Sequence, residues 1–250
     1  MASNISDVAA MGGRPARAVA TLCVGGATPI TFVDELMDGL LQAAERWGVA
    51  LVGGDVSGAQ QISVGIALLG TAERPVLRSG AQPGDVLCVT GSLGGAAGGL
   101  LALRKGLDGA GELKRRQLRP GARVEEGVAI ARASATAMID ISDGFAADLA
   151  HLLKASGVGC DVEIESLPVD AALAEVATLI PPIEAALIGG EDLELLFSIS
   201  EASLPGLEAV MEDLGTEVTQ VGVVTDGPAR IGDSTLEEWK ERGWEHLRTS

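Results

Sequence analysis

Hydrophobic and polar positions fall into two alternating textures along this chain. Short apolar runs have the length and β-branched content of strands: VALV at 49–52, ISVGIALLG at 62–70, VLCVT at 86–90, AMIDI at 137–141 and LELLFSI at 193–199. Between them lie stretches whose apolar residues recur three and four apart. The clearest covers 32–46, where Phe32, Val33, Leu36, Met37, Leu40, Leu41 and Ala44 share one helical face. Thr31, with Asp34 three positions on, supplies its capping signal. The same spacing predicts helices over 4–11, 94–105, 123–132, 145–155, 170–178 and 203–214, and strands over 16–24, 160–164 and 218–224. Residues 106–120 read as a polar, basic connector, and the 170–178 helix ends before Pro181 and Pro182. The acidic tail 234–246 starts as a helix.

Strands alternating with helices predict an α/β (α+β layered) architecture. RSGAQPGD at 78–85 is rich in turn residues and divides the chain into 1–77 and 78–250.

Composition narrows the chemistry. A content of 47% hydrophobic residues excludes a disordered polymer. Asp and Glu total 35 against 18 Lys and Arg, a formal charge of -17, so the chain has no basic face for nucleic acid. An acidic chain can still bind phosphates where divalent ions bridge them to carboxylates. With three Phe, three Trp and no Tyr, platforms for stacking bases are not expected. No apolar run reaches membrane-spanning length and the start lacks a signal-peptide pattern, so no membrane partner and a cytoplasmic location are expected. Cys23, Cys88 and Cys160 are odd in number and outside any CxxC spacing, which predicts buried, reduced thiols.

The 34 glycines cluster at GGDVSG (53–58), GSLGGAAGG (91–99), SDG (142–144) and GGED (189–192). Three of these clusters carry acids at apolar strand ends: Asp55; Asp140 with Ser142 and Asp143; Glu191 with Asp192. Singly, each has a plain structural alternative. Asp143 is placed to cap a helix, Asp55 to close an Asx-turn, and Glu191 to sit solvated in a turn. Together they suit a site for hard divalent cations and phosphates. The glycine run opens a helix after VLCVT, where free amides suit an anion. It is neither a Walker loop nor a Rossmann fingerprint, and tight helix–sheet packing is its favoured role. His151 and His246 are assigned structural roles, since nothing near either builds a triad or zinc site.

NISDVAAMGGRP, VGGDVSG, RSGAQPGD, VTGSLGGAAGGL, ATAMIDISDG and GGEDLELLF, in this order, resemble the motifs of thiamine-monophosphate kinases. That family shares a superfamily with aminoimidazole ribonucleotide synthetase and selenophosphate synthetase. The resemblance covers essentially the whole chain, down to the terminal GWEHL; Leu193, Val56-Ser57 and Leu247 depart from the usual residues. It implies a two-domain aminoimidazole ribonucleotide synthetase-like fold, with an N-terminal ATP- and metal-binding domain whose sheet pairs across a homodimer. Relatives begin with a segment carrying GDDAA-type and Val-Glu-Gly-x-His-Phe-type motifs. This sequence starts at NISD, so an incomplete N-terminal domain, exposed strand edges near 16–24 or 62–70 and weak turnover are expected.

Residue by residue, the resemblance implies that Asp7, Asp55, Asp140 and Asp143 are ligands of several Mg2+ ions. Gly54, Asp55, Arg78 and Ser142 would contact ATP, and Glu191 and Trp244 would line the thiamine side. Asp143 is the best catalytic candidate. The plain alternatives are a helix-capping Asp7, a surface Arg78 and a packing role for Trp244. The implied activity is ATP-dependent phosphorylation of thiamine monophosphate to thiamine diphosphate by direct, Mg-assisted transfer. An inactive nucleotide- or metal-binding remnant and a relative using another acceptor remain the alternatives.

Overall fold

Alternating exposure along residues 14–24 sets the first layer. In the computed structural model, which describes residues 1–243, β1 (Arg14–Val24) buries Ala18 and Leu22 and exposes Val19 and Thr21. It is the centre of a three-stranded sheet in the order β2-β1-β3, with β2 (Ala50–Gly58) parallel and β3 (Ser63–Thr71) antiparallel to it. Two helices, α1 (Ala2–Ala9) and α2 (Ile30–Arg46), accompany this sheet. Ile5 and Ala44 from the helices join Ala18 and Val49 in a small core. Leu69 (72% exposed), Val56 (67%) and Val52 (59%) remain open, so much apolar surface of this sheet has no cover among the described residues.

The second layer is a seven-stranded sheet in the order β10-β9-β6-β8-β4-β7-β5. Its strands are β4 (Val86–Thr90), β5 (Ala137–Asp140), β6 (Gly159–Val162), β7 (Leu195–Ile199), β8 (Val218–Thr225), β9 (Arg230–Ile231) and β10 (Ser234–Thr235). VLCVT is buried at all five positions because helices cover both faces. Leu87 and Val89 pack toward α6 (Phe145–Ser156), against Phe145, Leu149 and Leu152. Val86 and Cys88 pack toward α5 (Val124–Arg132) and α8 (Leu204–Asp213), against Ile130, Leu207 and Met211. A third cluster joins α3 (Gly95–Arg104) to α4 (Gly111–Leu118) through Ala102 and Leu113. The remaining helices are α7 (Pro182–Ile188) and α9 (Leu236–Lys240).

Several expectations are corrected. The N-cap of α2 is Pro29 and makes no side-chain cap bond, so Thr31 lies inside the first turn. Of that helix's apolar stripe only Ala44 is buried, with Phe32 40% and Leu41 50% exposed. The strand expected at 49–52 runs on to Gly58, because Gly53 and Gly54 continue the ladder on β1 instead of ending it. A Cβ on Gly54 would lie 1.9 Å from the Ala20 carbonyl oxygen, so only glycine fits there. The basic connector contains α4, and the 170–178 helix is a 3-10 turn over Ala171–Val176. Pro182 opens α7, as proline does in a first turn. Cys88 and Cys160 are buried, and burial pushes both thiols up to about 12. Cys23 is only half-buried.

Candidate active site

The acidic site forms where α1 reaches the end of β5 and the turn that follows it. Asp7 lies inside α1 and not at its cap. Asp140 is the last residue of β5 and only 3% exposed. Burial raises the pKa of Asp140, and the nearby Asp7 carboxylate raises it further, while Ser6 and Arg78 pull the other way. Burial also raises Asp7, opposed by Arg78. No Lys or Arg is near these acids in sequence; the fold supplies Arg78 instead. Its segment is tied down on both sides, by Met138 N donating to the Leu77 carbonyl at 2.9 Å and Ser156 Oγ to the Arg78 carbonyl at 3.2 Å. Ser6 Oγ is buried beside this pair and has no partner at ordinary hydrogen-bond geometry.

Ser142 and Asp143 occupy the turn between β5 and α6. Asp143 is not the helix cap, because Gly144 (φ 116°) holds that position. The turn is shaped from behind by Asp148, one turn into α6. Its carboxylate accepts the Ser142 amide at 2.9 Å and the Asp143 amide at 3.0 Å. Burial pushes Asp148 up to about 7, against the pull of those two amides. Sequence reasoning passed over Asp148, although a charged residue on the apolar face of FAADLAHLL is itself a signal.

A strap over residues 189–194 closes the other side. Glu191 and Leu193 have positive φ, 72° and 54°, a conformation that L-residues hold only where surroundings impose it. Here the strap is stitched to the β5–α6 turn by Glu191 N to Ser142 O (2.9 Å) and Leu193 N to Ile141 O (3.0 Å). Gly190 allows this approach, since a Cβ there would lie 2.4 Å from the Ser142 oxygen. The Asp192 carboxylate turns to the N-terminus of α3, accepting from Gly94 N at 2.6 Å and Ala96 N at 3.0 Å. The glycine run packs tightly, but against α4, α7 and the 171–176 turn rather than against the sheet, and these two amides already hold an acid of the protein itself. Burial pushes Asp192 up to about 7.

Glu194, 4% exposed, receives both Nε and Nη2 of Arg123 at 2.7 Å and the Thr90 hydroxyl at 2.6 Å. Arg123 also reaches Glu126 and Thr216. Burial alone lowers the pKa of Arg123, but these acids raise it overall. Neither residue of the pair was singled out from sequence, since Arg123 sits next to an apparently solvated connector. Above the pair opens a cavity of about 400 Å3, lined by Arg46, Arg116, Arg119, Glu191 and Asp192 among others.

Gly54 and Asp55 lie on β2, in a separate cavity of about 350 Å3 with Thr21, Met37 and Leu40. Asp55 does not end a strand; it pairs with Thr21 in the ladder and accepts the Ser57 hydroxyl at 2.7 Å. Asp7, Asp140 and Arg78 are thus brought together electrostatically, Asp143 and Asp140 both act on Asp148, and Asp55 is held on the first sheet. Among the described residues, no three His, Cys, Asp or Glu side chains converge closely enough to form a metal cage. Trp244 and His246 lie outside the described residues. His151 is exposed on α6.

Comparison with known proteins places this arrangement. Residues 1–72 match the family model for the AIR synthase related protein N-terminal domain, and residues 82–233 match that for the C-terminal domain. The chain belongs to the AIR synthase related proteins, and within them to the thiamine-monophosphate kinase family. A thiamine-monophosphate kinase of Rhodopirellula baltica is 36% identical over the whole chain, which spans 75% of that protein. The crystal structure of a thiamine-monophosphate kinase from Stenotrophomonas maltophilia superposes with a TM-score of 0.85 at 34% identity, covering 94% of this chain and 77% of the other. A structure described as AaThiL complexed with AMPPCP and TMP superposes with the same TM-score of 0.85 at 33% identity, covering 94% and 75%. Among the described residues no helix is long and apolar enough to cross a membrane.

Proposed function

We propose that the chain transfers the γ-phosphoryl group of ATP to thiamine monophosphate, giving thiamine diphosphate. The observation that carries this reading is whole-chain similarity to thiamine-monophosphate kinases, one of which shares 36% of its residues. The grouping of Asp7, Asp140 and Arg78 supports it, as does the related structure complexed with AMPPCP, an ATP analogue, and TMP.

The acceptor's phosphate loses its second proton near pH 6, so its oxygen is nucleophilic without a strong base. The obstacle is repulsion between two polyanions. Asp7, Asp140 and Asp143, with Asp55 from the first sheet, are the residues that would hold Mg2+. Their donors are hard carboxylate oxygens, and the buried Ser6 hydroxyl lies beside Asp140; since no three of the described acids converge, substrate phosphates would complete the shell. When bound, Mg2+ supplies the charge that offsets this repulsion. Arg78 adds positive charge on the same side. Gly54 and Ser142 serve the nucleotide through close backbone approach. Glu191 and Trp244 serve the thiazolium cation, the former through its carboxylate.

The chain divides near residues 77 and 78, and the open face of the β2-β1-β3 sheet is the dimer surface. A cytoplasmic setting fits three cysteines that remain free thiols. The test is to incubate the purified chain with ATP, Mg2+ and thiamine monophosphate and to follow thiamine diphosphate by thiochrome fluorescence. Product that depends on both ATP and Mg2+ is expected. ATP consumption without thiamine diphosphate would reject the acceptor.

A further inference from the structure

We infer that Asp192 is the positioning residue of the acceptor side: it fastens the 189–194 strap across the N-terminus of α3 and so fixes the direction of the Glu191 carboxylate. The inference rests on the reading of Glu191 as an acceptor contact.

The strap does not hold its own shape, because Glu191 and Leu193 both adopt left-handed backbone conformations. One side is tied to the β5–α6 turn by the Glu191 and Leu193 amides. The other side is tied by the Asp192 carboxylate, with one oxygen on Gly94 N and the other on Ala96 N. The helix it grips is firmly set. A Cβ on Gly94 would lie 2.8 Å from the Ala185 backbone, and one on Gly99 would lie 2.0 Å from the Leu113 carbonyl oxygen. Helix-end amides favour a carboxylate through their partial positive charge, so the clamp is both geometric and electrostatic.

Glu191 precedes the clamp by one residue and lines the cavity that Arg46, Arg116 and Arg119 border. Rotation of the strap about this point moves Glu191 directly, whereas Asp7, Asp140 and Arg78 stand on other elements. Release of Asp192 leaves the backbone bonds to Ser142 and Ile141 in place, so Glu191 is disturbed more than the turn that carries Ser142 and Asp143. It also follows that the α3 N-terminus serves the protein's own acid, and no substrate phosphate takes those two amides.

The test compares dissociation constants for thiamine monophosphate and for AMPPCP, by calorimetry with Mg2+, in the intact chain and in Asp192→Asn. Asparagine keeps the volume but offers one acceptor where two amides point, so the variant remains foldable while losing half the clamp. Thiamine monophosphate should bind about tenfold more weakly and AMPPCP within about twofold of the parent, as expected for loss of one charge-assisted bond acting on one ligand. Asp192→Ala should move the same ligand further. In the parallel Glu191→Ala variant, thiamine monophosphate should weaken as well. Equal shifts for both ligands, or none, in Asp192→Asn alongside a weakened Glu191→Ala would show that Asp192 only stabilises the fold. An unchanged Glu191→Ala would remove the acceptor reading of Glu191, and the positioning role with it.

Discussion

Asp143 and Asp148 divide one task between them. Asp148 accepts the amides of residues 142 and 143 on one oxygen, Oδ2, and so fixes the backbone of the turn that carries the Asp143 side chain. Exchange of Asp143 for Asn should keep the circular dichroism spectrum and lower thiamine diphosphate formation by about two to three orders of magnitude, the scale of losing one electrostatic group at a transferring phosphoryl. Near-parental turnover at modest Mg2+ would reject Asp143 as a ligand. Asp192 makes a pH prediction. Burial lifts its folded pKa to about 7, above the ordinary carboxyl value of 3.8, with Glu194 adding to the rise and the Ala96 and Gly94 amides and Arg116 opposing it. With its folded pKa raised, Asp192 binds a proton more readily in the fold than in the unfolded chain. Its contribution to stability is therefore full below the ordinary carboxyl range and is lost as pH rises through 7, above which the ionised side chain is the clamp. The urea midpoint of the parent relative to Asp192→Asn should accordingly be higher at pH 5 than at pH 8; a pH-independent gap would contradict the shift. At this scale the motifs showed which turns carry acids. They did not show which acid faces the ligand and which holds the backbone, because that depends on contacts such as Asp192 with Gly94, 98 residues away.

Among the elements, the β7 strand is anchored by an ion pair at its mouth. Glu194 is only 4% exposed and meets Arg123 through two 2.7 Å bonds. Glu194→Ala leaves a guanidinium without its main partner in a half-buried setting, and should lower unfolding free energy by about 3 kcal/mol, the lower end of what breaking such a pair costs. A chemical denaturation curve within about 0.5 kcal/mol of the parent would show the pair to be dispensable. Strands with strong apolar runs were readable from sequence, as VLCVT, AMID and LLFSI show. The helices that failed did so for identifiable reasons. The α4 segment GELKRRQL is polar because it buries only Leu113. Pro182 reads equally well as a helix stop or a helix start, and tertiary context chose the start. The α2 stripe predicts a helix correctly but not its burial, since packing leaves Phe32 and Leu41 exposed.

At the level of the whole molecule, alternating strands and helices sufficed for the layered class. They were silent on strand order, because the β4 neighbours β7 and β8 come from the far end of the chain. The open first sheet is where the proposed dimer is testable. Sedimentation velocity should show a dimer at micromolar concentration, and Leu69→Arg, placed on a side chain 72% exposed, should shift the equilibrium to monomer with the fold intact. A parent that sediments as a monomer at every concentration would reject that surface.

The centrality of β4 also has a bearing on how the protein is made. Val86 to Thr90 leave the ribosome well before their ladder partners at 196–199 and 218–223, which emerge more than about a hundred residues later. At ordinary elongation rates that interval is on the order of ten seconds. Throughout it, the nascent chain displays VLCVT with neither neighbour available, while β1, β2 and β3, all synthesised by Thr71, can already pair. Synthesis therefore passes through a stage in which one layer can form while a fully buried central strand of the other is unsheltered, and a pause in translation before residue 195 prolongs the chain's dependence on chaperones.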